Sequence, residues 1–232
     1  MGLYQRESDA YVIMPKYDER KTTEKDLKIL PMESLQKIGE YCVEGNPLTI
    51  PFQIGLHTGM RVSEVCGLMW RHIDLNRGTL QVDQAMINQE GEWVLGTTKT
   101  VSSEREILLG PTIINILKKH RIWLKKNKLK YGVHYTESDH VCVKECGSII
   151  TPAVVKYNTS KMKEKLGIDF NFHSLRHTHA TTLMENGAKV KDIQNRLGHS
   201  RSAITIDTYL HLTKKMQTES VDIFEQAMRD LK

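Results

Sequence analysis

Between His173 and Tyr209 the chain gathers two imidazoles, a guanidinium and a phenol: His173-Ser-Leu-Arg176, then Leu197-Gly198-His199, then Tyr209 ten residues further on. On a helix, His173 and Arg176 lie three residues apart and share a face. A fixed bidentate cation beside an imidazole suits the non-bridging oxygens of a phosphate. A phenol, with a pKa near ~10, attacks poorly until its proton is taken. Cations on the phosphate would stabilise both the pentavalent transition state and a developing phenolate. These groups suit a reaction at a phosphodiester. No acidic pair or Asp-rich motif suggests a two-metal nuclease. His173 and His177 have metal-compatible spacing, but Ser174 stands where the HExxH form needs its glutamate. No third ligand is evident, so no metal is expected. His179 is expected to be a partly buried packing residue.

Two further groups lie upstream. In His57-Thr58-Gly59-Met60-Arg61-Val62-Ser63-Glu64-Val65, Thr58-Gly59 marks a tight turn. Val62, Val65–Cys66 and Met69 then step along one helix face, which puts Arg61 in the first turn of a helix. A cation there opposes the macrodipole, and makes sense if an anion also binds there. Taken alone, an arginine reaching solvent or pairing with a carboxylate is the simpler reading. Lys99 lies in the polar loop 97–103 between two expected strands. By itself it is an exposed loop lysine.

The elements that must position these groups can be read from periodicity. Residues 1–26 are polar and charge-balanced and read as a linker or tail, with a short apolar patch at Tyr11–Met14. Leu35, Ile38 and Tyr41–Cys42 predict an amphipathic helix opening near Met32 and ended by Gly45-Asn46-Pro47. Leu48–Leu56 is a second, mostly apolar helix, with Pro51 tolerable in its first turn. Alternation predicts strands at 79–87, 93–95 and 105–109, forming one small antiparallel sheet with Lys99 at a hairpin tip. Pro111 starts a helix whose apolar stripe is Ile113, Ile116–Leu117, His120 and Trp123–Leu124. Helices follow from Thr151-Pro152 to Lys165, around His173 up to Asn186-Gly187, and from Val190 to Leu197 with Gly198 as a left-handed cap. Tyr209 falls on or near a helix. Val221, Phe224, Met228 and Leu231 form the stripe of a short C-terminal helix.

Composition excludes more than it identifies. The net charge of +5 does not by itself establish a nucleic-acid partner. Its distribution says more: seven Lys/Arg fall between Lys118 and Lys130 with no acid among them. Alone, such a run is most simply a solvated helix face. Cys42 and Cys66 read as small core residues, and Cys142-Val-Lys-Glu-Cys146 as a strand running into a turn. No apolar run approaches bilayer length and the N-terminus has no apolar signal region, so the expected location is the cytoplasm.

Taken in order, the blocks His57-Thr-Gly-Met-Arg61-Val-Ser-Glu64-Val, Lys99, His173-Ser-Leu-Arg176-His-Thr-His-Ala, Leu197-Gly-His199-Ser and Tyr209 closely resemble the catalytic domain of the tyrosine recombinases, or phage-type integrases. The resemblance covers about residues 27–232. It implies an α+β fold, mostly helical, with a small three-stranded antiparallel sheet. The organisation it suggests is a linker at 1–26, a catalytic domain at 27–213, and a C-terminal helix at 214–232 that either folds back on the core or docks in trans. The family's core-binding and arm-binding domains are absent from this stretch, as expected for part of a longer chain.

The resemblance also implies the chemistry. Tyr209 attacks the scissile phosphate, leaving a 3′-phosphotyrosyl link and a free 5′-hydroxyl. Arg61 and Arg176 clamp the non-bridging oxygens, and His199 hydrogen-bonds the phosphate. Lys99 is the general acid for the leaving 5′-oxygen, His173 the proton acceptor for Tyr209, and Glu64 orients Arg61. No metal or cofactor is implied. The implied partners are double-stranded DNA, further copies of the chain (a tetramer on DNA, a monomer when free) and an accessory excisionase, with no membrane. Lys118, Lys119, Arg121, Lys125 and Lys126 become a backbone-binding face. Two other readings stay open here: a type IB topoisomerase, and a DNA-binding regulator that has lost catalysis.

Overall fold

The computed structural model describes residues 28–97 and 104–198 and, upstream of these, the backbone of two short strands. Those strands, β1 (Leu3–Gln5) and β2 (Tyr11–Ile13), pair antiparallel within the segment read as a tail. Lys99, His199, Tyr209 and the expected C-terminal helix lie outside the described residues.

The core is built around α2 (Thr49–Thr58), whose sequence TIPFQIGLHT is apolar on most sides. Phe52 and Ile54 are fully buried, and the helix packs against α3 (Val62–Gly67), α4 (Pro111–Tyr131) and α6 (Phe172–Glu185). Burying a side chain of that size contributes about 1.5–3 kcal/mol each. The amphipathic α1 (Met32–Tyr41) buries Ile38 and lies against α5 (Pro152–Leu166). In α4, Ile113, Leu117 and His120 face inward at helical spacing. His120 is stacked between Trp70 and Trp123, with centroids 6.1 and 5.5 Å away. Its Nε2 donates to the carbonyl of Val141 at 2.8 Å. Burial lowers its pKa to about 4, so it packs as a neutral ring.

The sheet differs from the one the alternation predicted. The expected strand over 79–87 breaks at Asp83. Its first half, β4 (Thr79–Val82), joins β3 (Ile73–Asp74) and β7 (Arg105–Leu108) in a three-stranded antiparallel sheet. Its second half, β5 (Gln84–Gln89), pairs instead with β6 (Glu92–Thr97). Leu80 and Val82 alternate inward, but Ala85 and Met86 are buried consecutively, so the phase slips. Helix α3 causes the slip. A Cβ on Gly67 would lie 3.1 Å from both Ala85 Cα and Met86 N, so the β5 backbone rests directly on a glycine. The Gln84 side-chain amide donates to the Gly67 carbonyl at 2.7 Å and fixes the contact.

Helix α6 ends near Asn186, and α7 (Val190–Leu197) folds back on it through a small apolar cluster of Ala180, Met184, Ile193 and Leu197. Gly198 closes α7 in the left-handed conformation (φ 67°), as the sequence predicts. No described helix is long and apolar enough to cross a membrane.

Candidate active site

Four elements converge here: the α2–α3 turn, α6, the end of α7 and strand β7. The turn begins at Gly59, which caps α2 at φ 69°. A Cβ there would lie 2.6 Å from Leu197 Cδ2 and 3.0 Å from His179 Cδ2. Both the backbone angle and the space require glycine. Arg61 follows as the N-cap of α3, one residue before the first turn in which its spacing had placed it. Glu64, one turn on, accepts from the Arg61 backbone N–H and from Arg61 Nη1, each at 2.9 Å. A carboxylate at this position complements the helix start and answers the local cost of the cation. The Arg61 side chain remains 38% exposed, so solvent, or a ligand, reaches it.

Helix α6 is started by Asn171, whose Oδ1 accepts from the Ser174 N–H at 3.0 Å. His173 and Arg176 then lie on one face. Arg176 is buried, and its fork binds two carbonyls from different elements. Nη1 donates to Gly59 at 2.8 Å and Nη2 to Leu197 at 2.7 Å. The guanidinium thus ties the turn before Arg61 to the residue that precedes Gly198-His199. The His173 ring reaches the surface, with His177 edge-on to it at 4.6 Å. Partial enclosure, then the charges of Arg176 and Arg61, hold the His173 pKa below the ordinary imidazole value. His177 lies lower, at about 4, through enclosure followed by His173 and Arg176. Near neutral pH both rings are unprotonated, and His173 is in the state that accepts a proton.

Two arginines that motif spacing did not single out complete the cluster. Arg105, the first residue of β7, is buried against Glu64, with Nη2 to Oε2 at 2.9 Å and Nη1 to Oε1 at 3.3 Å. Burial would raise the Glu64 pKa, but hydrogen bonds and charge from Arg105, then from Arg61, outweigh it and hold the carboxyl below its usual range. Arg196 donates from Nε to His179 Nε2, from Nη1 to the Leu108 carbonyl and from Nη2 to the His57 carbonyl, each at 3.0 Å. His179 Nδ1 in turn donates to the Leu56 carbonyl at 2.9 Å. His179 is therefore a packing residue with both ring nitrogens engaged. Burial first, then Arg196, lowers its pKa to about 4. For Arg105 the sequence held a trace: it is in phase with the buried Ile107, and a cation on the core side of a strand needs a buried partner.

Arg61, Glu64, His173 and Arg176 are thus brought together. Glu64 is the carboxylate of the cluster, shared by the guanidiniums of Arg61 and Arg105. No group of three or more His, Cys, Asp or Glu residues is placed to hold a metal ion among the described residues. The chain leaves β6 at Thr97 and is described again from Glu104, one residue before Arg105; Lys99 lies outside the described residues.

The basic run on α4 lies elsewhere. Lys118, Arg121 and Lys125 line an open cleft, together with Arg71, Gln81 and Glu106. Glu106 alternates with Arg105 along β7, so this cleft opens on the opposite face of the sheet from Arg105. Lys119 lines a separate groove beside Pro47 and Trp123. Lys126 is exposed on the same side of the helix as Lys119.

Residues 28–216 match the phage integrase family, and the chain belongs to it. It is 30% identical over 224 residues to a tyrosine recombinase XerC-like protein of Caldanaerobacter subterraneus subsp. tengcongensis, covering 91% of this chain and 57% of that one. It is 28% identical over 216 residues to the integrase of Staphylococcus phage L54a, covering 87% and 60%. The chain therefore spans about three-fifths of the length of these relatives. Among solved structures, the Tn1549 transposon integrase bound to a circular intermediate DNA superposes with a TM-score of 0.66 at 17% identity, over 83% of this chain and 67% of that one. The XerA recombinase superposes with a TM-score of 0.63 at 21% identity, over 83% and 64%. Both share the fold.

Proposed function

We propose that this chain is the catalytic part of a tyrosine-type site-specific DNA recombinase that cuts and rejoins DNA in the integration and excision of a mobile element. The observation that carries the reading is the convergence of Arg61, His173 and Arg176, with Arg176 bound to the carbonyl of Gly59 two residues before Arg61. The exposed imidazole of His173 and the half-exposed guanidinium of Arg61, backed by the buried guanidinium of Arg176, fit the oxygens of a phosphodiester and the proton of an attacking hydroxyl.

The Tyr209 oxygen attacks the scissile phosphorus, and the bond from phosphorus to the 5′-oxygen breaks. His173 takes the phenolic proton, and Lys99 gives a proton to the departing 5′-oxygen. Arg61, Arg176 and His199 hold the non-bridging oxygens while charge builds on them. The 3′-phosphotyrosyl link conserves the bond energy, so the free 5′-hydroxyl of another strand can reverse the step without a cofactor. On DNA the chain works as a tetramer, with the C-terminal helix docking on a neighbouring copy and an accessory excisionase setting direction. Lys118, Lys119, Arg121, Lys125 and Lys126 take backbone phosphates away from the scissile one.

The test is covalent capture on nicked duplexes selected by this chain from a randomised pool. Wild type gives a DNA-linked species that survives denaturation. Tyr209→Phe binds the same duplex and gives none. A wild-type chain that binds the duplex without ever linking to it would instead be a DNA-binding regulator.

A further inference from the structure

Arg105 ties together three parts of the site. Being in phase with Ile107, it enters the core side of the sheet, where its side chain is only 6% exposed. Its fork takes both oxygens of Glu64, and Glu64 in turn takes the backbone N–H and Nη1 of Arg61. Arg105 Nε donates to the Arg196 carbonyl at 2.8 Å, at the last turn of α7. The next residue, Leu197, gives its carbonyl to Arg176. A Cβ on Gly198, the residue before His199, would lie 3.1 Å from Arg105 Cδ, so the Arg105 stem also backs that turn.

We propose that Arg105 is a positioning residue for DNA cleavage: through Glu64 it fixes the Arg61 guanidinium, and through the Arg196 carbonyl it fixes the end of α7 that serves Arg176. This rests on the recombinase reading above. A carboxylate shared by two guanidiniums has one geometry that satisfies both, so Arg61 keeps its direction before any DNA arrives. Without Arg105, Glu64 can swing with Arg61, and α7 loses a buried anchor. A buried ion pair is weak evidence of stability in itself. What sets this pair apart is that both of its outer ends lead to phosphate-binding candidates.

The experiment compares the wild-type chain with Arg105→Met and Arg105→Lys on the captured nicked duplex. It reads affinity, the single-turnover rate of covalent linkage against pH, and the 15N relaxation of the Arg61 Nε–H in the free protein. With Arg105→Met, affinity is expected to stay within about threefold while linkage slows on the order of 100-fold, the scale of a small misplacement of reacting groups. The rate should also gain a second rise with pH as the buried Glu64 carboxyl ionises, beside the one that His173 gives the wild type, and the Arg61 signal should become mobile. Arg105→Lys keeps the charge without the fork and should recover part of the rate. Unchanged linkage and an unchanged pH profile in Arg105→Met would overturn the proposal. So would losses of affinity and linkage in equal proportion in both variants, which would mark Arg105 as structural. If the wild type itself forms no linkage, the recombinase reading falls, while the Arg61 relaxation still reports whether Arg105 orders it.

Discussion

Replacing Gly59 by alanine should cost more than the same change at another left-handed glycine, and the difference measures how tightly the site is assembled. Gly59 and Gly167 both close helices at nearly the same angle, φ 69° and 66°. At Gly167 an added Cβ meets nothing within 4 Å, so Gly167→Ala carries only the backbone cost of about 1–2 kcal/mol. At Gly59 the Cβ would sit 2.6 Å from Leu197 Cδ2 and 3.0 Å from His179 Cδ2. Neither neighbour can yield cheaply. Leu197 is fully buried, and the His179 ring is held at both nitrogens by Leu56 and Arg196. Overpacking of this kind adds about 1–3 kcal/mol, giving a total of about 2–5 kcal/mol for Gly59→Ala. Urea unfolding of the two variants beside wild type gives the values directly. Gly59→Ala should also slow covalent linkage to DNA, because the Gly59 carbonyl that holds Arg176 must move, whereas Gly167→Ala should not. If the two variants lose the same stability to within about 0.5 kcal/mol, the close packing of the turn against α6 and α7 is wrong.

Three other outcomes follow from the same geometry. Lys99→Ala should slow cleavage at an ordinary 5′-oxygen by on the order of 100-fold while hardly slowing a substrate with a 5′-bridging sulfur; equal slowing would remove Lys99 as the general acid. Removing one phosphate-binding cation flattens the plot of log affinity against log salt by about 0.9, so Lys118→Ala, Arg121→Ala and Lys125→Ala combined should reduce the slope by at least about 1. An unchanged slope would return that cleft to a solvated face. Stability should fall as the pH drops below about 6.5, before the carboxylates protonate. His120 and His179 are held at about 4, largely by burial, so between 6.5 and about 4 the unfolded chain binds protons that the native chain refuses. A urea midpoint that stays constant between about pH 6.5 and about pH 5 would contradict those buried neutral rings.

The helices were legible because their ends carry local signals: proline at Pro111 and Pro152, glycine at Gly59, Gly167 and Gly198. The sheet was legible in kind but not in pairing. The break at Asp83 is decided by Gly67, which no window around the strand contains. The site was legible to the extent that ordered motifs carry it, which brought out Arg61, His173 and Arg176 but passed over Arg105. Its partners Glu64 and Arg196 are 41 and 91 residues away, and only its phase with Ile107 marked it. The lysine run was legible as a run but not in how helix geometry divides it. At about 100° per residue, neighbours in sequence turn to different sides of α4, so Lys118, Arg121 and Lys125 share a cleft that Lys119 and Lys126 do not.

The most direct measurement of the central claim is to digest the captured protein–DNA species and sequence the peptide that carries nucleotide. A single labelled peptide is expected, joined through Tyr209 to a 3′-phosphate. A label on any other residue, or a link through a 5′-phosphate, would contradict it.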